Sequence, residues 1–221
     1  NYMFIYWVMF TIPALASMLP NVFHRQLSSF GWFLVALLFV VIMGFRFETG
    51  ADWSMYMLIF FRSSGVPLEE VYTVGDPAYV FVNWMVAKLG IGFYGVNLAC
   101  ATIFISGMVS FCRRQPNSWL AFVVAVPILV NVIALGYVRQ ATALGVVFFA
   151  LGALMDGRVR SFLIYVSIGA LFHASAVGFY LLAFLGGSSK YLKILFWGMP
   201  LIIVFFIFHE LSTLVWWIGW Y

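Results

Sequence analysis

The segment from residue 46 to residue 56 concentrates ionisable side chains at the end of a long apolar run. Arg46 is followed by Glu48, Asp52 and Tyr56, which places a cation, two carboxylates and a phenol close together. Only 8% of the chain is charged. Because a charge at membrane depth costs about 2.5–3.5 kcal/mol or more, ionisable residues there are functional candidates. This concentration of ionisable side chains makes the segment a candidate functional site.

Further polar residues interrupt apolar sequence later in the chain. Arg139 and Gln140 lie between two apolar runs, and a guanidinium offers a planar fork of donors that suits phosphate or pyrophosphate. His173 lies near the centre of the apolar run 161–185, where a hydrogen-bonding or proton-transfer role is expected. Asp76, which precedes a proline, is a weaker candidate. Together these residues predict a cavity for a phosphate-bearing ligand.

Each of these residues also has a purely structural interpretation. Arg46 and Arg139 can anchor the chain at the lipid headgroups. Asp52 can cap a helix, and Tyr56 can belong to an aromatic belt at the membrane interface. His173 can be a buried histidine whose hydrogen bonds are satisfied within the protein. Both interpretations remain open at the level of sequence.

The elements that must position these side chains are membrane helices. Hydrophobic residues make up 65% of the chain, in continuous runs that exclude the alternation of an outer-membrane barrel. The formal charge of +4 comes from scattered basic residues, a pattern that sets topology and does not indicate nucleic-acid binding. We expect an all-α polytopic membrane protein with about seven to eight transmembrane helices. The clearest predicted spans are residues 2–20, 30–46, 93–112, 119–136, 140–157, 161–185 and 193–209.

Residues 47–92 form the one long connection between these spans, and we expect them to be an external loop. Residues 52–62 predict an amphipathic surface helix with Trp53, Met57, Phe60 and Phe61 toward lipid. Residues 78–89 are apolar but short for a span, which predicts a re-entrant or interfacial helix. We favour a topology in which they do not cross, because it gathers the polar residues on one face. The expected organisation is one membrane domain over residues 1–221, interpreted as a fragment of a longer chain.

Four short motifs follow one another along residues 30–185. They are Arg46 with Gly50-Ala51-Asp52 and Tyr56, then Asp76-Pro77-Ala78-Tyr79, then Arg139-Gln140, then Phe172-His173-Ala174-Ser175-Ala176. In order and approximate spacing the set resembles the EpsG family, which comprises Wzy-like polymerases of bacterial exopolysaccharide and O-antigen. Ala51 departs from the threonine common in that family, Ala78 departs from a glycine, and Glu48 adds a carboxylate.

The resemblance implies a glycosyltransferase that moves a growing glycan from undecaprenyl diphosphate to another lipid-linked repeat unit. The implied location is the bacterial inner membrane, in a multi-pass protein with its active site facing the periplasm or exterior; a GT-C-like fold is compatible. The implied partners are an undecaprenyl-diphosphate-linked oligosaccharide, membrane lipid and a chain-length regulator. No cofactor or metal is expected, because the donor already carries its leaving group.

The resemblance also implies roles for the candidate residues. Arg46 and Arg139 would bind the diphosphate and stabilise the charge that develops on the leaving group. Asp52 is the first candidate for the base that takes the proton of the acceptor hydroxyl, and His173 is the second. The residues expected to bind the diphosphate or orient the sugars are Arg46, Tyr56, Asp76 and Gln140.

Three other functions compete with a polymerase. A flippase or transporter for lipid-linked glycans would use the same cations, but repeated halves are common in such proteins and none is evident here. A membrane acyltransferase would need a catalytic histidine or serine, for which His173 alone is available. A structural subunit of a synthase complex would tolerate alanine at Asp52 and Arg139.

Overall fold

The computed structural model describes residues 2–18, 28–50 and 52–185, and all the regular secondary structure in this part of the chain is helical. The chain divides into two compact units, Asn1–Phe179 and Tyr180–Tyr221. The predicted span 193–209 lies outside the described residues. The α-helices are α1 (Tyr2–Met18), α2 (Ser28–Gly44), α3 (Trp53–Ser64), α4 (Leu68–Val71), α5 (Pro77–Lys88), α6 (Phe93–Cys112), α7 (Ser118–Ala125), α8 (Val138–Met155), α9 (Val159–Phe172) and α10 (Leu182–Leu185).

Two further helical segments have a different pitch. A π-helix, Val126–Ala134, continues directly from α7 and carries Pro127 in its first turn. A 3₁₀-helix, Ala174–Leu181, follows α9. A proline inside a helix removes one backbone donor and displaces a carbonyl, so the wider π-helical turn begins where the regular hydrogen-bond ladder cannot continue.

The helix lengths test the predicted number of membrane spans. Among the described residues, α6 and α8 are long and apolar enough to cross a membrane. The shorter apolar helices are Phe4–Met18, Ser29–Gly44, Ser118–Ala134 and Val159–Phe172. The all-α prediction is therefore confirmed for the described residues, whereas the total of seven to eight transmembrane helices is not.

Helices α6 and α8 pack with their backbones in direct contact. A Cβ atom on Gly107 of α6 would overlap the carbonyl group of Gly145 of α8. A Cβ atom on Gly145 would in turn overlap the backbone of Phe104. Small residues at a helix crossing let two helices approach closely where apolar burial does not drive their association. The two glycines therefore fix the distance between the two longest apolar helices.

We expect Gly107→Ala to destabilise the protein by about 1–3 kcal/mol, because the added methyl group must push α6 and α8 apart. The melting temperature of the purified protein in detergent measures this effect. Gly31→Ala is the matched control, since a Cβ atom at Gly31 meets no atom within 4 Å. Equal melting temperatures for the two variants would contradict the close helix crossing.

The ion pairs in the turn after α8 show the relative direction of helices α6 and α8. Asp156 accepts from Arg158 at 2.6 Å and from Arg114 at 2.7 Å, and the two guanidinium groups, Arg158 first, lower the pKa of this carboxyl. Because Arg114 follows α6 and Asp156 follows α8, these two helices run parallel and end together. Helix α9 returns antiparallel, with Gly169 beside the backbone of Ala143. The starts of α6 and α8 and the end of α9 therefore lie at the opposite end of the bundle, called here the site end.

The segment between α2 and α6 begins and ends at the site end of the bundle. Gly44, the last residue of α2, packs against Leu98 near the start of α6. Helix α5 has 12 residues, which at 1.5 Å per residue reach about 18 Å, well short of a bilayer core of about 30 Å. Helices α3, α4 and α5 thus form a cap at the site end. The chain enters this cap from α2 and leaves it into α6 at the same end of the bundle.

The predicted surface helix exists as α3, but its predicted lipid face is wrong for Trp53 and Phe60. Trp53 and Phe60 are 9% and 8% exposed, whereas Phe61, which also belongs to the predicted lipid face, is 61% exposed. Met55, which is not part of the predicted lipid face, is 54% exposed. Helix α3 packs on α5, and its aromatic face also meets two arginine side chains. A helix with aromatics on both faces can present either face to lipid, so amphipathicity alone did not decide the orientation.

The predicted continuous span 161–185, with His173 at its centre, is also wrong. Helix α9 ends at Phe172, and His173 has extended backbone angles, φ −161° and ψ 130°. In a continuous helix the Ser175 N–H would donate to the carbonyl four residues earlier. It donates instead to Nδ1 of His173, at 3.2 Å. This local side-chain acceptor competes with the helical ladder and ends α9.

Candidate functional site

Arg139, Asp76 and Tyr56 meet at the site end, where α8 and α5 begin. Nη1 of Arg139 donates to Oδ2 of Asp76 at 2.8 Å, and Asp76 stands at the N-cap position of α5. The guanidinium carbon of Arg139 lies 5.8 Å from the centre of the Tyr56 ring, within the range of a cation–π contact. The side chains of Arg139 and Asp76 are 29% and 25% exposed, so a ligand can reach the ion pair.

Tyr56 forms the floor beneath Arg139. Burial raises the pKa of Tyr56, and the Arg139 cation opposes that shift. The phenol therefore stays neutral and keeps a proton that it can donate. Its ring packs edge-on against Tyr79, with 5.8 Å between ring centres, and Tyr79 is fully buried. The packing of the two rings therefore fixes the position of the Arg139 guanidinium against Tyr56.

Arg46 lies deeper than the sequence suggested, with only 6% of its surface exposed. Its Nη1 donates to the carbonyl of Leu135 and, at 3.4 Å, to that of Ala134. These carbonyls belong to the C-terminal end of the π-helix, where backbone acceptors lack helical partners and basic side chains often satisfy them. The guanidinium carbon also lies 5.7 Å from the ring centre of Trp53.

Two arginine side chains therefore contact one face of helix α3. Trp53 and Tyr56 are three residues apart, which places them on the same side of a helix. Arg46 from the end of α2 covers the first ring, and Arg139 from the start of α8 covers the second. The ring contacts explain why this face of α3 points inward, against the sequence-based expectation.

The loop between Arg46 and α3 rests directly on the turn before α8. Gly50 has a φ of +91°, and a Cβ atom there would lie 2.8 Å from the carbonyl oxygen of Leu135 and 2.9 Å from Cα of Gly136. The position needs glycine both for its backbone conformation and for the space. Together with Arg46, this contact fixes the turn from which Arg139 projects.

We expect Arg46→Ala to destabilise the protein by about 1–3 kcal/mol, because the carbonyls of Leu135 and Ala134 lose a buried donor. Thermal unfolding in detergent measures the change. Arg62→Ala is the control, since Arg62 is an exposed arginine on neighbouring α3. A melting temperature for Arg46→Ala equal to that of the control would show that the capping contact contributes nothing.

Asn97 of α6 is a candidate that the sequence-based reasoning missed. It is 2% exposed, and neither atom of its carboxamide has a hydrogen-bond partner among the described residues. It lines a narrow cavity together with Arg46 and Thr142, which has room for roughly one water molecule. The available signal was a carboxamide inside an otherwise apolar span, which is rare without a polar neighbour.

Asp52 and Gln140 lie at the site end, but their side chains have no polar partner among the described residues. Asp52 stands at the N-cap position of α3, as expected, but its carboxylate makes no capping hydrogen bond. It is partly exposed, and its charge acts on Tyr56 one helical turn later. Gln140 follows Arg139 and is also partly exposed. Within the part of the chain that the structure describes, neither side chain forms a hydrogen bond or ion pair.

His173 lies at the same end as Arg139. Its neighbours Phe172 and Ala176 belong to the buried cluster that contains Tyr56 and Val138, the residue before Arg139. The imidazole itself is partly exposed, and Nδ1 lies 2.8 Å from Oγ of Ser175. The structure thus brings the four sequence motifs to one end of the bundle. No group of three or more metal-ligating side chains comes together among the described residues.

Over the described residues, these features define an all-helical membrane protein with its candidate site residues gathered at one end of the bundle. A family model described as the EpsG family matches residues 29–216, and the chain belongs to the EpsG family. The resemblance expected from the four motifs is therefore confirmed, and membership indicates a membrane protein of polysaccharide biosynthesis with polymerase-type function. Among curated proteins and among solved structures, no significant match was found.

Proposed function

We propose that the protein polymerises a bacterial polysaccharide, using as donor a glycan carried on undecaprenyl diphosphate. One observation carries the proposal beyond family membership. The partly exposed guanidinium of Arg139 is held by Asp76 above the ring of Tyr56, at one end of a bundle of apolar helices. A lipid-linked diphosphate needs such a cation at the edge of an apolar surface.

The ion pair leaves Arg139 able to bind an anion. A guanidinium has five N–H donors in a rigid fork, and Asp76 takes up only Nη1. Nε is buried, so the N–H groups of Nη2 and the second N–H of Nη1 are the donors that suit the oxygens of a diphosphate. The positive charge stabilises the leaving group as its bond to the sugar breaks. In this scheme Asp76 orients the guanidinium and Tyr56 supports it from below.

Asp52 is the residue we assign as base. Its carboxylate is partly exposed and unpaired among the described residues, so it can accept a proton without first breaking a contact. The hydroxyl oxygen of the acceptor sugar attacks C1 of the donor glycan, and its proton passes to Asp52. The bond from C1 to the phosphate oxygen breaks, and undecaprenyl diphosphate leaves. Gln140 is available to orient sugar hydroxyls.

The arrangement of arginines supports a site that faces the periplasm or exterior. Arg113, Arg114, Arg158 and Arg160 lie in or directly beside two short turns at the end of the bundle opposite Arg139, whereas the much longer connection at the site end carries Arg62 and Lys88. Basic residues in short loops are enriched on the cytoplasmic side of membrane proteins. A multi-pass orientation with these turns in the cytoplasm places the site end outside.

Complementation tests the proposal. The full-length gene is expressed in a strain that makes the matching repeat unit but lacks its polymerase, and glycan length is read on a gel. We expect a ladder of polymer lengths. A strain that shows only the single repeat unit contradicts polymerase function. If single repeat units reach the surface only when the gene is present, the protein moves the lipid carrier and is a flippase.

A further inference from the structure

The ring of His173 is held by its own chain in a way that fixes where its proton lies. The backbone N–H of Ser175 points at Nδ1, at 3.2 Å, and Oγ of Ser175 lies 2.8 Å from the same nitrogen. A backbone N–H can only donate, so Nδ1 is an acceptor. A neutral imidazole whose Nδ1 accepts carries its hydrogen on Nε2.

The same contact gives Nδ1 a structural task. Ser175 lies in the first turn of the 3₁₀-helix Ala174–Leu181, where backbone donors lack helical partners. His173 satisfies one of them and so acts as a helix cap. Nε2 makes no hydrogen bond to any residue that the structure describes, and the side chain is partly exposed. Nδ1 is thus occupied by the capping hydrogen bond, whereas Nε2, which carries the hydrogen, has no partner among the described residues.

We infer that His173 donates a hydrogen bond from Nε2 to an oxygen atom of the lipid-linked substrate and is not the base of the reaction. This inference rests on the proposed function. To act as base, the neutral ring would have to take a proton at Nδ1, which requires breaking its bond to Ser175. Its place beside Phe172 and Ala176, in the buried cluster that contains Tyr56, puts this donor at the same end as Arg139.

Two substitutions separate donation from capping. In His173→Gln the amide nitrogen extends to about the position of Nε2 and can donate, but the cap is lost. In His173→Asn the amide oxygen takes about the position of Nδ1 and can cap, because asparagine is a preferred capping residue. We expect His173→Gln to keep a ladder and His173→Asn to lose about 10²-fold in polymer formation.

The other outcomes overturn the inference. An active His173→Asn with an inactive His173→Gln means that capping is the only role. Two inactive variants that remain folded mean that the imidazole must exchange a proton. Two fully active variants mean that the residue does not touch the substrate. Size-exclusion profiles of the detergent-solubilised variants establish which of them are folded.

The tautomer can also be measured directly in the unmutated protein. Nitrogen-15 NMR of the histidine-labelled, unmutated protein distinguishes a hydrogen on Nε2 from one on Nδ1. The chain has three histidines, and the signal lost in His173→Gln assigns the resonance. A hydrogen on Nδ1 overturns the inference even if the polymer ladder is normal. Absence of a ladder from the unmutated gene instead contradicts the proposed function, so the two failures are distinguishable.

Discussion

Arg139→Ala is expected to abolish polymer formation and leave only single repeat units, a loss of about 10²–10³-fold or more. The substitution removes the one partly exposed cation that the structure places on Tyr56 and beside Asp76. It also leaves the Asp76 carboxylate without its partner, which repels a diphosphate from the site. The measurement is glycan length in the complemented strain, with expression matched by blotting.

Two companion variants show whether the geometry or only the charge of Arg139 matters. Arg139→Lys keeps the charge but loses the planar fork, so we expect an activity between those of the parent and Arg139→Ala. Asp76→Asn keeps the size of the side chain but weakens the ion pair, and it should lower activity less than Arg139→Ala does. A full ladder from Arg139→Ala would remove this residue from the site.

Asp52→Asn is expected to lower polymer formation by about 10²–10⁴-fold, because it removes the carboxylate that accepts the acceptor proton. Asparagine has nearly the same shape and is an equally good N-cap residue, so α3 should begin as before. The melting temperature should therefore stay unchanged while activity falls. That combination separates a chemical role of Asp52 from a structural one.

Glu48→Gln is the matched control for Asp52→Asn. Glu48 is an exposed carboxylate in the same loop, and it forms no hydrogen bond or ion pair with the residues that the structure describes. We expect this variant to make a full ladder. If Glu48→Gln abolishes the ladder while Asp52→Asn keeps it, the base has been assigned to the wrong carboxylate of the loop.

The sequence alone determined the helical class and the candidate residues. A long apolar run must satisfy its own backbone hydrogen bonds when water is excluded, and a helix does so within the segment. The run predicted over residues 93–112 accordingly appears as Phe93–Cys112. The four motifs, in order, identified the EpsG family before any contact was known. Each apolar run and each motif consists of residues close together along the chain, so the sequence alone reveals them.

Only the tertiary structure decided which polar groups meet. Asp76 binds Arg139 across 63 residues of chain, and Arg46 binds the carbonyl of Leu135 across 89. Local hydropathy contains no information about such pairings, because they depend on how helices pack and on which helix ends coincide. The same holds for His173, whose helix ends because a nearby side chain captures a backbone donor that the apolar pattern assigns to the helix.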